Sequence, residues 1–265
     1  MGVLNVTPDS FSDGGLYDTF EAAVARGLEM LAEGADVIDV GGESSRPGSD
    51  PVPAALELAR VVPVVEALAG PAAARGARVS VDTVKPDVAV AAVTAGASLL
   101  NDISASLWEV AAATGAGWVA MHMQGRPRTM QDDPRYTDVV KEVREIVLER
   151  ARRALAAGVA EVWVDPGIGF GKTVAHNLSL LRHLPELVEG AAAAGCAGVV
   201  VGTSRKRFLG SLVDDGRAGE PAPVAERAEG SLATAAAAMV AGVGMVRVHD
   251  VAAAVQVSRL YGPAA

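Results

Sequence analysis

Short runs of Val, Ile, Leu and Ala recur along the chain, at residues 2–5, 36–40, 78–82, 97–101, 117–121, 161–165, 197–202 and 243–248. They do not alternate apolar with polar positions as a strand with one wet face would. Continuous apolar runs of this length are what a parallel sheet covered on both faces requires. Between them lie amphipathic stretches at residues 21–32, 54–68, 87–95, 139–157, 177–188 and 225–240, each with apolar residues at helical spacing and long enough for a crossover helix. Eight such rounds is the number that closes a (β/α)8 barrel, so the pattern predicts an α/β protein built as one TIM-barrel domain over residues 1–265. The Pro/Gly/acidic segment 213–223 reads as an insertion after the seventh strand, not as a linker between domains. Mobile loops are expected at about 7–20, 43–52 and 205–223.

Polar residues fall where such a barrel would use them. Asn5, Asp82, Asn101, His122, Asp165, Lys206, Arg247 and His249 all lie at or just beyond the end of an apolar run. In a barrel these ends share one rim, and catalytic residues come from that rim and its loops, so the pattern predicts a single ligand site there. The most unusual stretch is Val201-Gly-Thr-Ser-Arg-Lys-Arg-Phe-Leu-Gly210, in which a buried-looking run ends in three consecutive cations. A helix start is disfavoured for it, because cations near a helix N-terminus oppose the dipole. The expectation is an anion- or ring-binding loop.

Composition narrows the partners. The 265 residues carry a net charge of -9 with 4% aromatics, which argues against a nucleic-acid surface made of basic stripes and stacking rings. One cysteine, Cys196, leaves no disulfide framework or thiolate metal cluster and points to a reducing compartment. His122, His176, His183 and His249 show no metal-ligand spacing. Without an 18-residue apolar run or a basic-then-apolar leader, neither a membrane span nor a signal peptide is expected, and the cytoplasm is the expected location. Gly167-Ile-Gly-Phe-Gly-Lys-Thr173 invites comparison with a phosphate loop, but that motif needs glycine where Pro166 stands.

Several motifs in one order carry more information than any one of them. Gly2-Val-Leu-Asn-Val-Thr-Pro-Asp-Ser-Phe-Ser-Asp-Gly-Gly15, Gly41-Gly-Glu-Ser-Ser-Arg-Pro-Gly48, Val81-Asp-Thr83, Asn101-Asp102, Met121-His-Met-Gln124, Asp165-Pro-Gly-Ile-Gly-Phe170, Ser204-Arg-Lys-Arg-Phe-Leu-Gly210 and Arg247-Val-His-Asp250 together resemble the dihydropteroate synthase family over essentially the whole chain. Ser45 stands where that family commonly has Thr, which leaves a hydroxyl in place, and the chain starts almost on its first strand without the usual leading segment. The resemblance implies condensation of 6-hydroxymethyl-7,8-dihydropterin diphosphate with 4-aminobenzoate to give 7,8-dihydropteroate and diphosphate, magnesium on the diphosphate, and a homodimer. It implies a pterin site of Asp82, Asn101, Asp165, Lys206, Met121 and Phe170, and an aminobenzoate site of Phe11, Ser45, Arg46, Pro47, Ser204 and Arg207. Asn5, Ser45, Arg247, Val248 and His249 would take the diphosphate, Asn5 would add a magnesium ligand, and Lys206, Asp13 and Arg46 would serve catalysis.

The residue types suit that chemistry independently. A reduced pterin offers an edge of N–H donors beside acceptors, which two carboxylates and an amide can match. Either Arg46 or Arg207 suits the aminobenzoate carboxylate. An aromatic amine is neutral at ordinary pH and attacks without a general base, consistent with a chain that shows no Ser-His-Asp arrangement. A pterin-binding methyltransferase would have no diphosphate to expel, and the Arg247/His249 pair argues against it. A silent pterin-binding paralogue is opposed by the intact loops bearing Phe11, Asp13, Ser45 and Arg46.

Overall fold

The structure, a computed structural model, describes residues 1–7, 20–44, 49–213 and 220–261. Eight strands, β1 (Gly2–Asn5), β2 (Val37–Gly41), β3 (Arg78–Asp82), β4 (Leu99–Asp102), β5 (Gly117–Met121), β6 (Val162–Asp165), β7 (Gly198–Val201) and β8 (Met245–Val246), run parallel and pair in sequential order in one curled α/β sheet. Helices α1 (Phe20–Glu33), α2 (Ala54–Ala73), α3 (Pro86–Thr94), α4 (Trp108–Thr114), α5 (Val139–Ala156), α6 (Val174–Arg182), α7 (Leu184–Ala193), α8 (Arg207–Gly210), α9 (Ala228–Val240) and α10 (Val251–Tyr261) cover it. Beyond the β7–β8 ladder, the Val3 N–H donates to the Val248 carbonyl and the Val248 N–H to the Met1 carbonyl, each at 2.9 Å.

The side-chain period of two sorts each strand into an outer and an inner row. Ile38, Val40, Leu100, Trp118, Val164 and Val199 face outward into the main core, against helix residues such as Val64, Leu68, Val143 and Val147. Val37, Leu99, Val119 and Val200 face inward with Met1, Trp163 and Met245 and form a smaller apolar plug. At the foot of the plug the Arg78 guanidinium grips Glu161 in bidentate fashion, at 2.7 and 2.5 Å, and ties β3 to the start of β6. The next inward positions up from the plug are Asp39, Asn101 and Met121. Polar chemistry therefore begins where the plug stops.

Helix boundaries depart from the hydrophobic period for identifiable reasons. The stretch 177–188 is two helices, because Pro185 lacks the N–H that an unbroken helix would need and instead occupies the first turn of α7. Helix α2 runs on to Ala73 with Ala72 fully buried, so the apolar stripe does not end at Leu68. Residues 224–227 form a 3-10 turn ahead of α9. The basic cluster does start a helix, contrary to expectation: Lys206 is the N-cap of the four-residue α8. The dipole objection fails because the charges diverge. Arg205 pairs with Asp250 at 2.6 Å, Lys206 sends its ammonium to the Ile168 carbonyl, and Arg207 is exposed to water.

Candidate active site at the strand ends

Register aligns the polar residues. Asn5 pairs with Gly41, Gly41 with Asp82 and Asp82 with Asn101, which makes one row along the C-terminal ends of the strands, while Asn101 pairs with Val119, so the Met121–Asp165 pair stands two residues further along. Arg247, just past β8, reaches into the row. Its Nε donates to Asp39 Oδ2 at 2.6 Å and an Nη to Asp82 Oδ2 at 2.7 Å. Asn101 Nδ2 donates to the same Asp39 oxygen at 2.9 Å, while Asp39 Oδ1 is buried with no hydrogen-bond partner.

One guanidinium cannot neutralise two carboxylates, the buried Asp39 and the partly buried Asp82. Burial, with added repulsion from Asp39, Glu57 and Asp102, pushes Asp82 up to about 7 although Arg247 pulls the other way. Burial likewise opposes the charge on Arg247, but Asp39 and Asp82 outweigh it and raise its pKa. Asp82 is no helix cap, since the N-cap of α3 is Lys85.

A second cluster sits at the end of β6. Asp165 Oδ1 accepts the Gly167 N–H at 2.7 Å, and burial raises its pKa against the pull of Lys206. The Lys206 ammonium lies 4.6 Å from the centre of the Phe170 ring and donates to the Ile168 carbonyl. Burial pushes it down to about 8, with Asp165 resisting and Arg247 adding to the fall. Carboxyls lifted and an amine lowered in one place set donors beside acceptors, an arrangement suited to a polar heteroaromatic edge.

The remaining expected residues sort as follows. His249 Nδ1 lies 3.0 Å from Ser204 Oγ, and the His249 N–H donates to the same oxygen at 3.2 Å. Val248 is buried in the pairing with β1, and Met121 is buried on the inward row at the end of β5. Arg207 is exposed, and Asn5 makes no side-chain hydrogen bond among the described residues. Phe11, Asp13, Ser45, Arg46 and Pro47 lie outside the described residues.

Sequence reasoning missed three features. Asp39, with no exposure, is the shared acceptor of the first cluster, and its signal was a lone carboxylate inside the apolar run Val37-Ile-Asp-Val-Gly41. Glu57, also fully buried, accepts from Thr83 Oγ1 at 2.6 Å and from Lys85, which grips Glu43 at the same time. That triad ties the segment after β2 to the segment after β3. Lys172, discarded with the failed phosphate loop, is 3% exposed beside Asp165.

The sequence profile described as "Pterin binding enzyme" matches residues 1–249. Dihydropteroate synthase of Escherichia coli (strain K12) is 43% identical over 266 residues, covering 98% of this chain and 89% of the relative. The solved structure of Xanthomonas albilineans dihydropteroate synthase with 4-aminobenzoic acid superposes with a TM-score of 0.85 at 45% identity, covering 98% of this chain and 90% of that one. At 40% identity over 264 residues, the chain also matches the "Folate synthesis bifunctional protein, mitochondrial" of Arabidopsis thaliana, of whose longer length it spans 47%. With these strand-end clusters and this match, the chain belongs to the pterin-binding enzyme family. Its activity is that of a dihydropteroate synthase, a transferase that moves a pterin group.

Proposed function

We propose that the eight strands close into a single (β/α)8 barrel domain whose rim joins 6-hydroxymethyl-7,8-dihydropterin diphosphate to 4-aminobenzoate. The pairing of Val3 and Val248 supports closure, and the convergence of Asp39, Asp82, Asn101 and Arg247 with Asp165 and Lys206 carries the site. In this reading Asp165, Asp82 and Asn101 take the pterin edge, Lys206 and Phe170 its face, and Met121 its floor. Ser204 and Arg207 border the aminobenzoate, with Phe11, Ser45, Arg46 and Pro47 from the two loops.

Arg247 retains capacity for the leaving group. A guanidinium has five N–H donors, and two go to Asp39 and Asp82, which leaves three for diphosphate beside His249 and the Val248 backbone. Asn5 offers a hard amide oxygen without a competing hydrogen bond among the described residues, which fits magnesium bound mainly through substrate phosphates. The ion would supply positive charge to the departing diphosphate. The methylene C–O bond breaks with its electron pair going to diphosphate, and the pterin ring shares the positive charge. The aminobenzoate nitrogen then forms the C–N bond and sheds a proton. Lys206, with Asp13 and Arg46, orients the partners, so positioning and electrostatics supply the rate.

A homodimer completes the proposal. It is supported by the small side chains of α9 and by exposed Val240 at its end and Leu260 on α10, and sedimentation would test it. Diphosphate release on mixing both substrates with magnesium tests the reaction. Calorimetric titration of a phosphate-free pterin tests the site: Asp165→Ala should bind about tenfold or more weakly, from one lost charged hydrogen bond. Wild-type affinity in a folded variant would refute the assignment.

A further inference from the structure

The glycine-rich segment that fails as a phosphate loop is held together by side chains. Residues 166–172 join β6 to α6 without regular structure, yet every carbonyl from 167 to 171 accepts a side-chain donor. Lys172 Nζ donates to Gly167 O at 2.9 Å and to Phe170 O at 3.0 Å. Gln131 Nε2 donates to Gly169 O at 2.5 Å, and Tyr136 Oη to Gly171 O at 2.8 Å. Ile168 O, facing the site, accepts from Lys206.

Lys172 is the buried hub of this turn. Its ammonium also lies 2.9 Å from His122 Nδ1 and 6.0 Å from the centre of the Tyr136 ring. An ammonium has no lone pair, so His122 accepts at Nδ1 and carries its proton on Nε2. Among the described residues Lys172 makes no ion pair, and burial pushes its pKa down to about 7, with Asp165 resisting. A residue needed only to fill space would be apolar there, because a buried cation without an ion-pair partner costs stability. What the cation supplies is a common donor for carbonyls three residues apart.

We propose that Lys172 is a positioning residue for the pterin side of the site: its ammonium locks the 166–171 turn in the shape that presents the Ile168 carbonyl and the Phe170 ring to Lys206 and the Gly167 N–H to Asp165. This rests on the reading that Asp165 and Lys206 face the pterin. Lys172→Met keeps the length and removes the donors, so the turn relaxes and Lys206 loses its seat.

The test compares the binding of a phosphate-free pterin, by calorimetry, with thermal protection by magnesium diphosphate. Lys172→Met should weaken the pterin about tenfold, as loss of a charged hydrogen-bond set does, and leave diphosphate protection unchanged, because Asn5 and His249 are not attached to the turn. Unchanged pterin affinity in the folded variant overturns the proposal, and so does equal loss of both ligands, which would mark general damage. Should Lys172→Met not fold, His122→Leu removes one acceptor and should give the same split at about threefold, and no split there overturns the proposal. Asp165→Ala separates the two readings. If it weakens the pterin and Lys172→Met does not, only the clamp fails, whereas if Asp165→Ala also binds normally, the pterin assignment itself fails.

Discussion

At the scale of single residues, Lys206 shows how position tunes an ionisable group. Burial works against its charge and brings its pKa to about 8, while Asp165 and Asp82 keep it from falling further. The ammonium is therefore present below about pH 8 and lost as pH rises through that value. Because kcat/KM reports the free enzyme's ionisations, kcat/KM for the pterin diphosphate should decline on the basic side of about pH 8. Lys206→Arg keeps a charge that does not titrate there, so whatever activity remains should lose that limb. A wild-type profile level to about pH 10 would take the Lys206 charge out of the mechanism. Asp82, Asp165 and Lys206 were legible because each stands at the end of an apolar run. Asp39 was not, since a carboxylate inside such a run declares itself only when the guanidinium that pairs with it is known, and Arg247 lies 208 positions away.

At the scale of elements, the turn between β6 and α6 depends on backbone contact rather than on hydrophobic period. Gly167 has φ +65, and a Cβ there would stand 1.8 Å from the His122 carbonyl oxygen, a clash with backbone that no rotamer relieves. Gly158 also has positive φ, +95, but open space around it. Gly167→Ala should cost about 3 kcal/mol or more, from overpacking added to strain. Gly158→Ala should cost about 1–2 kcal/mol, from strain alone. Urea unfolding of the two variants measures the difference, and equal costs would mean the turn yields where it is drawn as rigid. The same distinction explains which elements the sequence disclosed. Helices α1, α2, α3 and α5 bury long stripes and read clearly from their period, whereas the break before Pro185, the 3-10 turn at 224–227 and the short α8 depend on local backbone chemistry. In α8 the decisive facts were tertiary: Arg205 has Asp250 to pair with and Lys206 has a carbonyl to reach.

At the scale of the whole molecule, Arg247 links parts of the chain that are remote in sequence. Its backbone N–H donates to Val201 at the end of β7, and its side chain reaches Asp39 on β2 and Asp82 on β3. It is thus a fastener across the sheet as well as a candidate anion ligand. Arg247→Ala should destabilise the protein by about 3–5 kcal/mol above about pH 7, where it strands the buried Asp39 and the partly buried Asp82 as unpaired carboxylates. The sign of the pH dependence follows from Asp82, whose folded-state pKa of about 7 already exceeds its ordinary 3.8. Without the guanidinium it rises further, so the folded variant binds protons that the unfolded chain releases. From about pH 4 to 7 both proteins lose stability alike, but the variant should go on losing it above about 7, where the parent levels off, so the cost of the substitution should grow as pH rises past about 7. Asp82→Asn in the Arg247→Ala background removes one of the stranded charges and should recover part of the loss. Denaturant unfolding of both variants and the parent on either side of about pH 7 decides the matter: a cost that does not grow above about pH 7 and is not relieved by Asp82→Asn would mean that Arg247 does not join the sheet through its carboxylates.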